Sequence, residues 1–239
     1  MCGRFLSLSS PETLAERFGV DEVRTDALEP RYNVAPSTDV YAVIEHAGRR
    51  RLGTLRWGFV PWWAKQLRGT RQPINARIET VATSRMFADS FARRRCLLPA
   101  DGFYEWRERG EGSTKQPYHL ASPDGSPLAF GSIWTSWRDP AVEGAEPLFS
   151  TAIVTTAATG GMEHIHPRMP LVLPERLWAD WLAAGPEDAP QLLATVTALT
   201  PPALTATPIT TRVNSVRNDG PELLEPELPQ PDQVGDPSA

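Results

Sequence analysis

The strongest constraint on what this chain can fold into is how its apolar residues are divided. They come in short runs, each ended by Gly, Pro or a polar turn. Asp39–Glu45 and Arg51–Trp57 read as two strands around the turn His46-Ala47-Gly48. Cys96–Pro99 and Gly102–Trp106 read as a second pair around Ala100-Asp101, followed by a turn at Gly110–Ser113. Tyr118–Ala121, Leu128–Trp134 and Phe149–Thr156 add three strands, Leu171–Leu173 a short one, and Thr205–Val213 an extended segment ending at Asn214-Ser215.

Helices are fewer. Ser10 caps and Pro11 starts one that presents Leu14 and Phe18 on one face and stops at Gly19. Thr83 is placed to cap another over 84–94, with Met86, Phe87 and Phe91 inward. Pro174 opens a third with Leu177, Trp178, Trp181 and Leu182 on one face, and a fourth lies near 187–197. Residues 31–38 show little period and read as a loop. No internal repeat is present. Strands therefore outnumber helices. The expectation is a single α+β domain with a curved, mostly antiparallel, barrel-like sheet and flanking helices, spanning 1–221. Residues 222–239 form an acidic, Pro-rich tail with too little apolar surface to fold.

Hydrophobic residues make up 41% of the 239, enough for a substantial core. No apolar run approaches the ~18 residues of a membrane span, and the N-terminus lacks a signal-peptide pattern. Cys2 and Cys96 do not make a disulfide framework, so a reducing cytoplasm suits the chain. The net charge of −5 is misleading about polyanions: five of the 29 acids lie in residues 221–239, leaving 24 against 24 bases. Of those bases 22 are Arg, whose planar fork suits phosphates.

Cys2 directly follows the initiator Met. Removing Met1 would leave an α-amine and a thiol on one residue, with ordinary pKa values of about 7.7–8.0 and 8.5. An amine attacks an aldehyde to give an imine, and a thiol on the neighbouring carbon can close on that imine as a five-membered ring. The alternative is a small buried hydrophobe. Asn75, Arg77, Glu105 and His166 stand in apolar or glycine-rich settings where a solvated side chain is out of place. Glu105 lies between Tyr104 and Trp106. Facing inward, it would be desolvated, raised in pKa and usable as an acid or base; facing outward, it would be an ordinary strand residue. His166 is either a proton carrier or a loop histidine bonded for structure. His164 and His166 have no Cys or acidic partner at a zinc spacing, so neither a metal nor another cofactor is expected. Trp57, Trp62 and Trp63 fall within seven residues, more than one strand face needs, and at least one should pack in the core.

Six motifs occur together in order. They are Met1-Cys2-Gly3-Arg4-Phe5, Tyr32-Asn33-Val34-Ala35-Pro36, Trp57-Gly58-Phe59-Val60-Pro61, Asn75-Ala76-Arg77-Ile78-Glu79-Thr80, Gly102-Phe103-Tyr104-Glu105-Trp106 and His166-Pro167-Arg168-Met169-Pro170. The set closely resembles the SRAP (SOS response-associated peptidase) family of abasic site processing proteins, from residue 1 to about 221. The resemblance implies a protein that binds single-stranded DNA and attaches covalently to abasic sites through Cys2. Asn75, Glu105 and His166 would be the catalytic partners. Arg4, Arg77 and Arg168 would lie near phosphates or the site, and Trp63 and Trp106 beside the bases, with Trp62 the competitor of Trp63. It also implies a cytoplasmic protein, nucleoid-associated in a prokaryote. Rival readings are an N-terminal-cysteine peptidase acting on itself or another protein, favoured by a longer leader before Cys2, and a non-covalent nucleic-acid-binding module. A glutamine amidotransferase would also start Met-Cys-Gly, but the Asn-Gly pair it needs is absent.

Overall fold

The computed structural model describes residues 2–110 and 114–227. The elements run β1 (Phe5–Ser7), α1 (Pro11–Phe18), β2 (Glu22–Val23), β3 (Arg31–Val34), β4 (Asp39–His46), β5 (Arg49–Trp57), β6 (Asn75–Arg77), α2 (Ile78–Val81), α3 (Ala88–Arg93), β7 (Arg95–Ala100), β8 (Gly102–Arg107), β9 (Gln116–Ala121), β10 (Leu128–Trp137), β11 (Leu148–Ala157), β12 (Arg168–Pro170), α4 (Trp178–Ala183), α5 (Ala189–Thr197) and β13 (Thr205–Pro208). The expected α+β architecture is present, with the strands in two sheets.

The larger sheet closes on itself. β4 and β5 form a hairpin through Ala47 and Gly48, whose φ angles of 52° and 71° suit a two-residue turn matched to strand twist. Antiparallel pairing then runs β5–β4–β7–β10–β11. The ring shuts where β11 pairs parallel with β5, Ser150 opposite Arg56 and Thr151 opposite Trp57. Alternation along each strand sorts the side chains. Val40, Ala42, Leu55, Trp57, Cys96, Leu98, Phe130 and Ile153 fill one cluster. Tyr41, Val43, Leu52, Leu97, Ile133 and Val154 join the side chains of the helices in a second. All six residues of β7 are buried, which is why that stretch reads as a continuous apolar run. Arg95 is among them. Its Nε donates to the Trp181 carbonyl at 2.6 Å, and its two Nη groups bond the Phe91 and Ala184 carbonyls, fastening α3 and α4 to the ring.

The smaller sheet, ordered β13–β9–β8–β1–β3, is antiparallel throughout. Aromatic rings join it to the barrel: Phe5 lies 5.1 Å from Trp57, and Phe103 lies 5.7 Å from Phe130. This joint brings β1 and β8, hence Cys2 and Glu105, against the barrel.

Several boundaries differ from expectation. Residues 31–34 are a strand: β1 pairs with one edge, and Asp219 Oδ1 accepts from the Tyr32 and Asn33 N–H groups at 2.6 and 2.9 Å. The helix expected over 84–94 starts only at Ala88. Thr83 does not cap it; its hydroxyl turns back to the Thr80 carbonyl at 3.4 Å. The short strand expected at 171–173 lies at Arg168–Pro170, where β11 offers a free edge, and Val172 keeps one isolated bridge to Phe130. The extended run from Thr205 stops at Pro208, and Thr211–Asn214 coil into a 3-10 turn. The expected boundary at 221/222 falls inside packed structure. Leu223 is fully buried and the Glu227 N–H bonds the Pro208 carbonyl at 2.9 Å. Met1, most of the turn expected at Gly110–Ser113, and residues 228–239 of the tail lie outside the described residues. Among the described residues no helix is long and apolar enough to cross a membrane.

Gly102 opens β8 where no side chain fits. A Cβ there would stand 2.3 Å from His119 Nε2 and 2.9 Å from the Leu120 carbonyl oxygen. The backbone oxygen cannot swing aside, so Gly102→Ala is expected to cost about 1–3 kcal/mol in urea unfolding. A loss under about 0.5 kcal/mol, the scale of an unconstrained surface change, would contradict that packing.

Candidate active site

Cys2 is fully buried and packs in the inner cluster that contains Phe5, Trp57, Ile153 and Met169. Two bonds hold its segment. Asn75 Nδ2 donates to the Cys2 carbonyl at 2.9 Å, and the Tyr104 N–H donates to the Arg4 carbonyl at 3.1 Å. Asn75 is placed by β6, which adds parallel to β11 with Asn75 opposite Ile153. Its Oδ1 is buried with no hydrogen-bond partner among the described residues.

β8 settles the orientation of Glu105. Phe103 packs toward the barrel cluster, Tyr104 and Trp106 toward a separate cluster with Leu6 and Val213. Glu105 therefore shares the barrel-facing side with Phe103 and is only 3% exposed. Burial raises its carboxyl to about 7. Burial, and then the negative charge of Glu105, push the Cys2 thiol well above its ordinary value. The two groups are thus neighbours that share one poorly solvated space. A protonated thiol is a weak nucleophile, so an α-amine on Cys2 is the better first attacker.

His166 sits in the loop before β12, half-buried. Loss of solvent lowers its pKa, partly offset by the Arg168 backbone. The Arg168 N–H donates to His166 Nδ1 at 3.0 Å. The Arg168 carbonyl lies at the same 3.0 Å from Nδ1, so Nδ1 accepts from the N–H when Nε2 alone carries the hydrogen and donates to the carbonyl when Nδ1 carries it. Ile165 and Met169, on either side of His166, are buried in the same cluster as Cys2.

The residues expected at DNA divide into two kinds. Arg77 is exposed and lines, with Arg71, Ile74, Asn75 and Phe87, a cleft of about 690 Å³. Trp62 and Trp63 are 64% and 44% exposed, and Arg85 lies 6.0 Å over the Trp63 ring. By contrast Arg4, half-buried, is bonded to other parts of the protein. Its guanidinium bonds the Val213 carbonyl and, at 3.1 Å, the Asn214 carbonyl, and stacks 5.0 Å over Trp106. Trp106 in turn donates from Nε1 to Asn214 Oδ1 at 2.7 Å. Arg168 is held by Glu79 and the Thr155 carbonyl. Arg71, Arg85, Asn214 and Glu79 were not singled out from the sequence. For the two arginines the signal was their position flanking the Asn75–Arg77 motif; for Glu79 it was membership of the Asn75–Thr80 motif, and for Asn214 its place at the end of the extended segment from Thr205. Among the described residues no group of three or more His, Cys, Asp or Glu could hold a metal.

The sequence pattern of the SOS response associated peptidase (SRAP) family matches residues 1–216. The abasic site processing protein YoqW of Bacillus subtilis (strain 168) is 35% identical over 226 residues, covering 94% of this chain and 99% of that one. The abasic site processing protein YedK of Escherichia coli (strain K12) is 34% identical over 235 residues, covering 95% and 100%. A crystal structure of a protein from Bacteroides thetaiotaomicron superposes with a TM-score of 0.78 at 21% identity, over 95% of this chain and 100% of that one.

The Glu105 carboxyl has a consequence for stability. Its folded pKa of about 7 lies above the ordinary 4.5. Below 4.5 both folded and unfolded states are protonated and nothing is lost. Between 4.5 and 7 the unfolded state ionises first, so stability falls with pH and levels off above 7. Glu105→Gln removes that loss. It is expected to be more stable than wild type at pH 8 by up to ~3 kcal/mol in urea unfolding, the gap closing by pH 4. An equal gap at both pH values would contradict burial as the cause.

Proposed function

The chain belongs to the SOS response associated peptidase family, and from that premise we propose that it captures abasic sites in single-stranded DNA as a thiazolidine on Cys2. Family members named as abasic site processing proteins support a role in processing this lesion. The covalent step rests on one observation above the others: a buried carboxyl, titrating near neutrality, beside the residue that carries both nucleophiles once Met1 is removed.

The reaction proceeds as follows. An abasic deoxyribose opens to an aldehyde at C1′: protonated His166 gives its Nε2 proton to the ring oxygen and becomes neutral, the bond from C1′ to the ring oxygen breaks, and the C1′ hydroxyl loses its proton to water. The Cys2 amine adds to C1′ and loses a proton to the Glu105 carboxylate. One water leaves and an imine forms. The thiol then adds to the imine carbon, its proton passing to the imine nitrogen by way of Glu105, and the five-membered ring closes. Holding amine and thiol on one residue gives a large effective molarity. Asn75 Nδ2 fixes the Cys2 main chain, and Oδ1 accepts from a sugar hydroxyl. The ring removes the imine before it can promote strand cleavage by β-elimination.

For the DNA itself, Arg77, Arg71 and Arg85 supply phosphate contacts, and Trp62 or Trp63 offers a face to an unpaired base. Arg4, Trp106 and Arg168 act from within, as supports of the site, because their polar groups are already engaged. DNA as substrate and a thiol that must stay reduced both point to the cytoplasm.

Incubation of the Met1-free protein with an abasic single-stranded oligonucleotide, followed by a denaturing gel, tests this reading. Wild type is expected to give a stable adduct without reductant. Cys2→Ser keeps the amine, so it gives an imine that borohydride traps, with more strand cleavage. Protein verified by mass to retain Met1 gives no adduct. Stable adducts from Cys2→Ser without reductant, or from the Met1-retaining protein, would overturn the thiazolidine.

A further inference from the structure

Arg168 makes contacts in two directions. Its guanidinium forms a fork with Glu79 of α2, Nη1 to Oε1 at 2.5 Å and Nη2 to Oε2 at 3.0 Å. Nη2 also donates to the Thr155 carbonyl of β11 at 2.6 Å. The Arg168 side chain is 16% exposed, so the fork is shielded on its arginine side. Its main chain serves His166. The N–H donates to Nδ1 and the carbonyl lies 3.0 Å from the same nitrogen. The N–H suits the neutral Nε2–H tautomer; the carbonyl suits the Nδ1–H tautomer and the protonated ring. The Arg168 main chain therefore presents a partner for either tautomer, and its position decides how well each is served.

That backbone is held by its pairing with β11 and by the Ala158 N–H on the Pro167 carbonyl at 2.9 Å, and Glu79 adds a hold through the side chain. β12 is only three residues long and begins at Arg168, so its pairing with β11 starts at the residue being held. A planar two-bond fork restrains an arginine more tightly than a point charge could. Glu79 in turn follows closely on Asn75 and Arg77, so the fork ties the His166 loop to the segment that fixes Cys2. We propose that Glu79 is a positioning residue that, by clamping Arg168, holds His166 in its Nε2–H tautomer at the Cys2 site. The catalytic half of this statement rests on the proposed function; the tautomer half does not.

The test uses the full Met1-free chain and Glu79→Gln, which keeps the shape of the side chain but loses the ionic fork. Arg168→Lys, which keeps the charge and loses the planar fork, is the second variant should the first unfold. Ring nitrogen chemical shifts of His166, read by NMR without DNA, are expected to move from a dominant Nε2–H pattern toward a mixture of tautomers. At saturating abasic single-stranded DNA, the rate of adduct formation is expected to fall by roughly 10-fold, within the ~10²-fold that misplacement of a reacting group can cost. Affinity for an unmodified single strand is expected to hold or rise, since an acid near Arg77 is neutralised. Unchanged His166 shifts in a folded variant would overturn the proposal, as would an unchanged saturating rate. If wild type formed no adduct at all, the functional reading would fail while the NMR shifts still decided the role of Glu79.

Discussion

The site depends on a carboxyl group kept out of water. Glu105 is 3% exposed and stands beside a fully buried Cys2. In solvent it would be ionised at any physiological pH and would be a weak base. Placed where β8 meets the barrel, it titrates near 7 and can both take and return a proton. The cost is carried by the rest of the fold, which must bury a polar group in its inner cluster. The aromatic joint of Phe5, Trp57, Phe103 and Phe130 supplies the rigid apolar surroundings that make this possible.

The segment that carries Cys2 is short and would fray if left alone, as chain ends do. Here it is held from several sides. Asn75 bonds the Cys2 carbonyl, Tyr104 bonds the Arg4 carbonyl, and the Arg4 guanidinium bonds carbonyls of Val213 and Asn214. Asn33, fully buried, donates to the carbonyls of Val213, Ser215 and Asn218 at 3.0–3.3 Å. The C-terminal segment is therefore part of the apparatus that places the N-terminal residue, although the two lie at opposite ends of the sequence. Arg4 and Trp106, both expected at DNA, take part in this bracing through their bonds to Val213 and Asn214.

Local pattern carried much of this. The β4–β5 hairpin, the alternation in β8 and the capped α1 were legible because each depends on neighbours in sequence. Asn75, Arg77, Glu105 and His166 were legible as polar groups out of place, and Cys2 by its position directly after Met1. The closure of the barrel was only hinted at, because the β5–β11 pairing joins distant segments and leaves no periodicity. The strand at Arg31–Val34 was missed for a like reason: Asp219, far downstream, supplies its hydrogen bonds. The inward face of Glu105 was undecidable from sequence, since a single charge in an apolar strand fits either face until the opposing sheet is known. Leu223 hid within an acidic, Pro-rich run whose composition argued for disorder.

The most direct test of this account is a titration of the Glu105 carboxyl itself, followed by carbon-13 NMR in the wild-type protein and assigned with Glu105→Gln. A midpoint near the expected value of about 7 would show that burial at the barrel mouth has made this group a base for neutral pH. A midpoint at the ordinary carboxylate value of 4.5 would mean that Glu105 is solvated and ionised throughout, and would contradict the account at its root.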